Sequence, residues 1–135
     1  EVVTICSMLS VDNAIFYRPK EKLVHADNAR INFNRAAFGD HIALLNVYTQ
    51  WADTEYSTQW CFENFIQVRS LKRARDVRDQ LLGLFERTEV ELKSNPDPIA
   101  IRKAITAGYF YNTALLQRSG NYRTIKKPQT VFIHP

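Results

Sequence analysis

Five cations fall within ten consecutive positions: Arg69, Lys72, Arg73, Arg75 and Arg78. Guanidinium and ammonium groups at this density suit the tracking of phosphates, which they neutralise whatever the base sequence. A second group combines Arg118, Arg123, Lys126 and Lys127 with Tyr122, whose ring could add base stacking. Plainer readings stand beside these: a solvated turn for Lys126-Lys127 and a half-buried strand position for Tyr122. Other chemistry is thinly represented. His25, His41 and His134 sit on different elements without metal-ligand spacing, so no metal site is expected. Cys61 beside Trp60 reads as a packed thiol rather than a nucleophile. The four glycines form neither GxGxxG nor GxxxxGK[ST], so no nucleotide-phosphate loop is present and the chain is not expected to hydrolyse ATP by itself. No catalytic residue is assigned.

The cation-rich stretch must sit on a helix. At about 100° per residue, Leu71, Ala74, Val77, Leu81 and Leu84 form one stripe, widened by Leu82 and Phe85, with Lys72, Asp76, Asp79 and Glu86 opposite. Cations in a first turn oppose the helix dipole, so packing or a ligand must account for them. Arg78 projects into the apolar arc itself. There it needs a carboxylate, such as Glu63 or Asp40, backbone carbonyls, or a ligand phosphate.

With 135 residues, 45% hydrophobic and 24% charged, the chain has ordinary globular composition and is sized for one domain with at most a small appendage. It has no run of about 18 to 20 apolar residues for a membrane span and no visible export signal, so a soluble protein is expected. Cys6 and Cys61 suit a reducing compartment. Residues 1–68 hold five Lys/Arg against eight Asp/Glu, whereas 69–135 hold thirteen against six, so the halves carry −3 and +7. A basic half fits phosphate backbones or acidic surfaces. The first residues, starting at Glu1 rather than methionine, already read as structured, which points to a piece of something longer.

The spacing predicts a helix over Glu1 to Ser10 ended by Val11-Asp12-Asn13, an extended Phe16-Tyr17-Arg18-Pro19, and a helix from Glu21 to Phe33 with Leu23, Ala26, Ala29 (or Arg30) and Phe33 recurring on one face. Gly39 stops that region and Asp40 caps a central apolar helix from about His41 to Ala52. A fourth helix opens at Tyr56-Ser57, with Trp60, Cys61, Asn64, Phe65 and Val68 along it. Ser70 caps a fifth that runs to about Leu92, and Asn95-Pro96-Asp97-Pro98 breaks the chain before a sixth from about Ile99 to Ala107. After Gly108 the residues turn β-favouring, from Tyr109 to Ile133, with a hairpin turn at Ser119-Gly120-Asn121. Three short strands have open edges and little core. They either pack on the helices or open a sheet whose remainder is absent, and the second is preferred.

Taken in order, Phe16-Tyr17-Arg18-Pro19, Ala26-Asp27-Asn28-Ala29-Arg30, Gly39-Asp40-His41-Ile42-Ala43-Leu44-Leu45-Asn46-Val47-Tyr48, Trp60-Cys61, Arg69-Ser70-Leu71, Val77-Arg78-Asp79-Gln80-Leu81, Ile101-Arg102-Lys103-Ala104, Gly108-Tyr109-Phe110 and Val131-Phe132-Ile133-His134-Pro135 resemble the helicase-associated region of DEAH-box RNA helicases. Within that family they are most similar to the spliceosomal members that act before the first step of pre-mRNA splicing. The resemblance spans nearly the whole chain. It implies a mainly α fold: a helical bundle, the ratchet-like domain, over Glu1 to Ala107, then a short antiparallel β segment over Gly108 to Pro135 that begins an OB-fold. It further implies a nuclear parent enzyme whose RecA-like motor domains bind ATP and Mg, while this fragment takes no cofactor. Its partners would be single-stranded RNA, those motors, and a G-patch activator or other spliceosomal proteins. On this resemblance Arg69, Arg73, Arg75, Arg78, Arg118, Tyr122, Arg123, Lys126 and Lys127 are the RNA-contacting candidates. A docking scaffold for protein partners is the alternative. Departures from the family pattern, Asn34-Arg35-Ala36-Ala37 and Asp53-Thr54-Glu55, lie in expected connections.

Overall fold

A computed structural model describes residues 1–11 and 14–133; the Asp12-Asn13 turn and the terminal His134-Pro135 lie outside the described residues. The chain is mainly helical, with a small antiparallel sheet at its C-terminal end. Its helices are α1 (Val2–Leu9), α2 (Leu23–Phe33), α3 (Asp40–Asp53), α4 (Thr58–Glu63), α5 (Val68–Phe85) and α6 (Pro98–Gly108). The strands are β1 (Ala114–Leu116), β2 (Tyr122–Thr124) and β3 (Thr130–Val131). No helix among the described residues is long and apolar enough to cross a membrane. Two compact units divide the chain, Glu1–Pro98 and Ile99–Pro135. The boundary read from the sequence, between Ala107 and Gly108, falls at the other end of α6.

In the first unit α1 packs chiefly against α5 and α3. Met8, Val47, Trp51, Cys61, Ile66, Leu71 and Ala74 form a continuous buried cluster, and α3 is central, as its apolar circumference requires. The start of α3 differs from expectation. Gly39, at φ +99°, takes the cap position, and Asp40 is the first helical residue with no capping bond from its side chain. Gly39 adopts that angle at little cost, and its carbonyl accepts from Ala43. The extended stretch runs beside the turn before α5: Tyr17 N–H donates to the Phe65 carbonyl at 3.0 Å, and Gln67 N–H to that of Ile15 at 2.8 Å. Arg18 clamps the stretch to α2 through both carboxylate oxygens of Asp27, at 2.6 and 2.7 Å. That hydrogen bond holds the Asp27 carboxyl below its ordinary range. The clamp is therefore intact above the ordinary carboxylate range and loosens as acid protonates Asp27.

The long helix departs from the sequence in three ways. It begins at Val68, two residues before Ser70. Ser70 is buried rather than capping, and its hydroxyl donates across the unit to the Ala14 carbonyl at 3.1 Å. Helix α5 stops at Phe85 instead of continuing to Leu92; the Thr88 hydroxyl donates to the Phe85 carbonyl, closing the end with a local bond. Of its apolar stripe Leu71 and Ala74 are fully buried, but Leu84 is 55% exposed. Length explains this. The eight residues of α1 and the eighteen of α5 rise about 12 and 27 Å, so the last turns of α5 outrun their cover. On α2, Ala26 and Phe33 are buried as expected, whereas Leu23 is exposed at the helix start.

In the second unit α6 starts on Pro98, where the missing N–H has no intrahelical role, and buries Ile101 and Ile105. Residues 110–112, expected as strand, instead form a 3₁₀ turn in which Asn112 N–H donates to the Tyr109 carbonyl. The sheet order is β1-β2-β3, all antiparallel. Ala114, Leu115 and Leu116 face Thr124, Arg123 and Tyr122. Tyr122 and Arg123 face Val131 and Thr130. Gly120, at φ +82°, makes the β1 to β2 turn. Leu115 and Leu116 of the outer strand are 62% and 58% exposed.

Candidate functional site

The nine candidate residues divide between the units, four on α5 and five on the sheet and its turns. On α5 the cations form two stripes, because residues three and four apart share a helix face. Arg69, Lys72 and Arg73 form an exposed stripe. Arg75 and Arg78 form a half-buried one. None of the five has a carboxylate within ion-pair distance among the described residues, in contrast to Arg18 with Asp27 and Lys93 with Glu91.

Arg78 resolves its conflict with the apolar arc without an acid. Its Nε donates to the Thr4 hydroxyl on α1 at 2.9 Å, and its guanidinium lies 5.6 Å from the centroid of Tyr48 on α3. Neither Glu63 nor Asp40 is its partner. A ring face and a hydroxyl together satisfy a planar cation that desolvates easily, so Arg78 ties three helices together. Arg75 is held by rings as well, 5.1 Å from the centroid of Tyr56 and 5.9 Å from that of Trp51. Sequence reasoning missed Thr4, Tyr48, Trp51 and Tyr56 as the partners that orient these arginines.

Tyr48 is 5% exposed, and its hydroxyl is buried without a hydrogen-bond partner among the described residues. Burial pushes its phenol above the ordinary range, partly offset by Arg78. An unsatisfied buried hydroxyl costs about 1 to 3 kcal/mol. Tyr48→Phe is therefore expected to leave stability unchanged or raise it by up to about 1 kcal/mol, read as an unchanged or higher urea midpoint. A lower midpoint would show that the hydroxyl is bonded.

On the sheet, Arg118 lies exposed in the β1 to β2 turn and Arg123 exposed on β2. Tyr122 is half-buried on β2. Successive strand residues point to opposite faces, so Tyr122 and Arg123 do not share one. Lys126 and Lys127 lie in the exposed β2 to β3 connection, where Thr124 pins the chain by accepting from Gln129 N–H at 2.9 Å. The Lys126 ammonium sits 4.6 Å from the ring centroid of Tyr111 and 5.7 Å from that of Phe110. Residues 99–135 contain six Lys/Arg and no Asp or Glu.

Cys61 is fully buried, and burial raises its thiol to about 11. It stays protonated near neutrality, which suits packing rather than nucleophilic attack. A cleft of 630 Å³ opens between the end of α1, residues 14–16, α2 and α3; His41 lines it and Cys61 does not. Compared with known protein families, the chain matches no family model.

Proposed function

We propose that the chain is an accessory RNA-binding module of an ATP-dependent DEAH-box RNA helicase acting in pre-mRNA splicing in the nucleus. Its role is to clamp single-stranded RNA by phosphate contacts while RecA-like motor domains elsewhere in the parent, holding ATP and Mg, do the work. The observation that carries this reading is the exposed cation stripe of α5: Arg69, Lys72 and Arg73 make no ion pair among the described residues, not even with Asp76 one turn along. Structural cations on a helix surface commonly pair with acids three or four residues away. The acid-free run after Ile99 supports the same reading, because sequence-independent backbone binding depends on summed positive charge.

The test is binding of a labelled oligouridylate by the 135-residue chain as salt rises. With four phosphate contacts the log–log slope is about −2.8 for a single strand, so affinity falls about 50-fold between 50 and 200 mM salt. Arg69→Glu with Arg73→Glu is expected to lower affinity at least tenfold at the lower salt. Absent or salt-independent binding rejects the proposal.

The second reading, a scaffold for a G-patch activator or other spliceosomal proteins, draws on Leu115 and Leu116, aliphatic side chains exposed on an edge strand. Bases do not stack on such groups. Under that reading, charge reversal at Arg73 and Arg75 leaves RNA-stimulated ATPase of the complete enzyme intact and abolishes capture of the partner.

A further inference from the structure

We infer that Arg75 and Tyr56, backed by the buried Trp51, form a nucleotide subsite, with a phosphate on the N–H groups of Arg75 and a planar base on the open part of Tyr56. The inference rests on the RNA reading above and sharpens it to one place on α5.

The Arg75 guanidinium carbon lies 5.1 Å from the Tyr56 ring centroid and 5.9 Å from that of Trp51, and the two rings stand at 74° to each other. The Arg75 N–H groups meet no acceptor among the described residues, and Asp79, one turn along α5, makes no ion pair with them. A half-buried arginine fixed by ring contacts, with unused coplanar donors, is a preorganised oxyanion receptor. Arg78 is different, since its Nε is engaged by Thr4. Exposed Arg69 and Arg73 have no ring against them among the described residues, so their contacts carry charge without geometry.

The backbone supplies an independent observation. Glu55 and Tyr56 adopt φ of +56° and +64°, a left-handed pair unusual for side chains of this size. Two bonds fix the turn, Glu55 N–H to the Ala52 carbonyl at 2.9 Å and Tyr56 N–H to that of Trp51 at 3.0 Å. Glycine or asparagine would end α3 there with less strain. Tyrosine instead sets a ring 4.9 Å from the Trp51 centroid, against Arg75, with 40% of the residue exposed. Strain that persists under such constraint points to function. A ring beside a fixed guanidinium matches a base beside its phosphate, whereas a carboxylate-bearing peptide would use only the guanidinium.

Trp51 is the reporter. The chain has two tryptophans, so Trp60→Phe leaves one emission to follow during titration with oligouridylate, an abasic oligomer of equal charge, and polyglutamate. Oligouridylate is expected to change Trp51 emission saturably. Tyr56→Asn, which tolerates the left-handed backbone, should weaken oligouridylate about tenfold and leave the abasic oligomer unchanged. Arg75→Gln should weaken both and reduce the salt slope by about 0.7. If Tyr56→Asn and Arg75→Gln bind oligouridylate like the parent while Arg69→Glu with Arg73→Glu does not, the subsite is overturned and the RNA reading stands. If polyglutamate gives the same emission change and competes equally, the occupant is an acidic protein and the subsite is overturned. If no oligomer binds at low salt, the RNA reading itself fails and the subsite falls with it.

Discussion

Trp51→Ala is expected to remove about 3 to 5 kcal/mol from the Glu1–Pro98 unit, the range for deleting a buried large aromatic. A domain of this size has about 5 to 15 kcal/mol in total, so urea unfolding followed by circular dichroism, with a slope of about 1 to 3 kcal/mol per M, should show a midpoint lowered by about 1 to 5 M. Trp51 is fully buried in the main cluster. Its indole N–H donates to the Ser57 carbonyl at 3.2 Å, tying α3 to the turn that opens α4. Its ring also meets those of Tyr48 and Tyr56 edge-on. Truncation removes the packing and leaves that carbonyl without its donor. A loss under about 1 kcal/mol would mean that the site collapses freely, contradicting its place at the centre of the cluster.

The second large effect concerns Arg78. Arg78→Met keeps an aliphatic stem over Tyr48 but removes the donor to Thr4, and Thr4→Val removes the acceptor while nearly preserving shape. Each alone should cost about 1.5 to 3 kcal/mol, the range for a hydrogen bond to a charged group. The pair should cost little more than either, a coupling of about 1 to 2 kcal/mol in a double-mutant cycle. Additive losses would show that Arg78 is held by its ring contact alone.

What could be read from the residues was local. Helical spacing placed α1, α3 and α6; the Asn95-Pro96-Asp97-Pro98 break and the Ser119-Gly120-Asn121 turn were legible because Pro and Gly act on their own dihedrals. Arg78 was recognisable as a cation needing a partner, but Thr4 lies 74 positions away and no spacing rule reaches it. The end of α5 was misjudged because no glycine or proline stops the chain between Glu86 and Leu92, while the Thr88 hydroxyl closes the helix locally. The turns at Tyr56 and Phe65, both at positive φ, were invisible, since aromatic residues normally signal extended or helical backbone. Ring contacts with Trp51 and Tyr17 accompany these exceptions.

The outer strand β1 has a practical bearing on any binding measurement. Its unpaired edge and its two outward leucines invite pairing with a second molecule, and charge repulsion from Arg118, Arg123, Lys126 and Lys127 opposes that pairing. Raising salt screens this guard at the same time as it weakens a hold on phosphate. Titrations therefore need light scattering recorded alongside, so that clumping of the protein is not mistaken for release of the polymer.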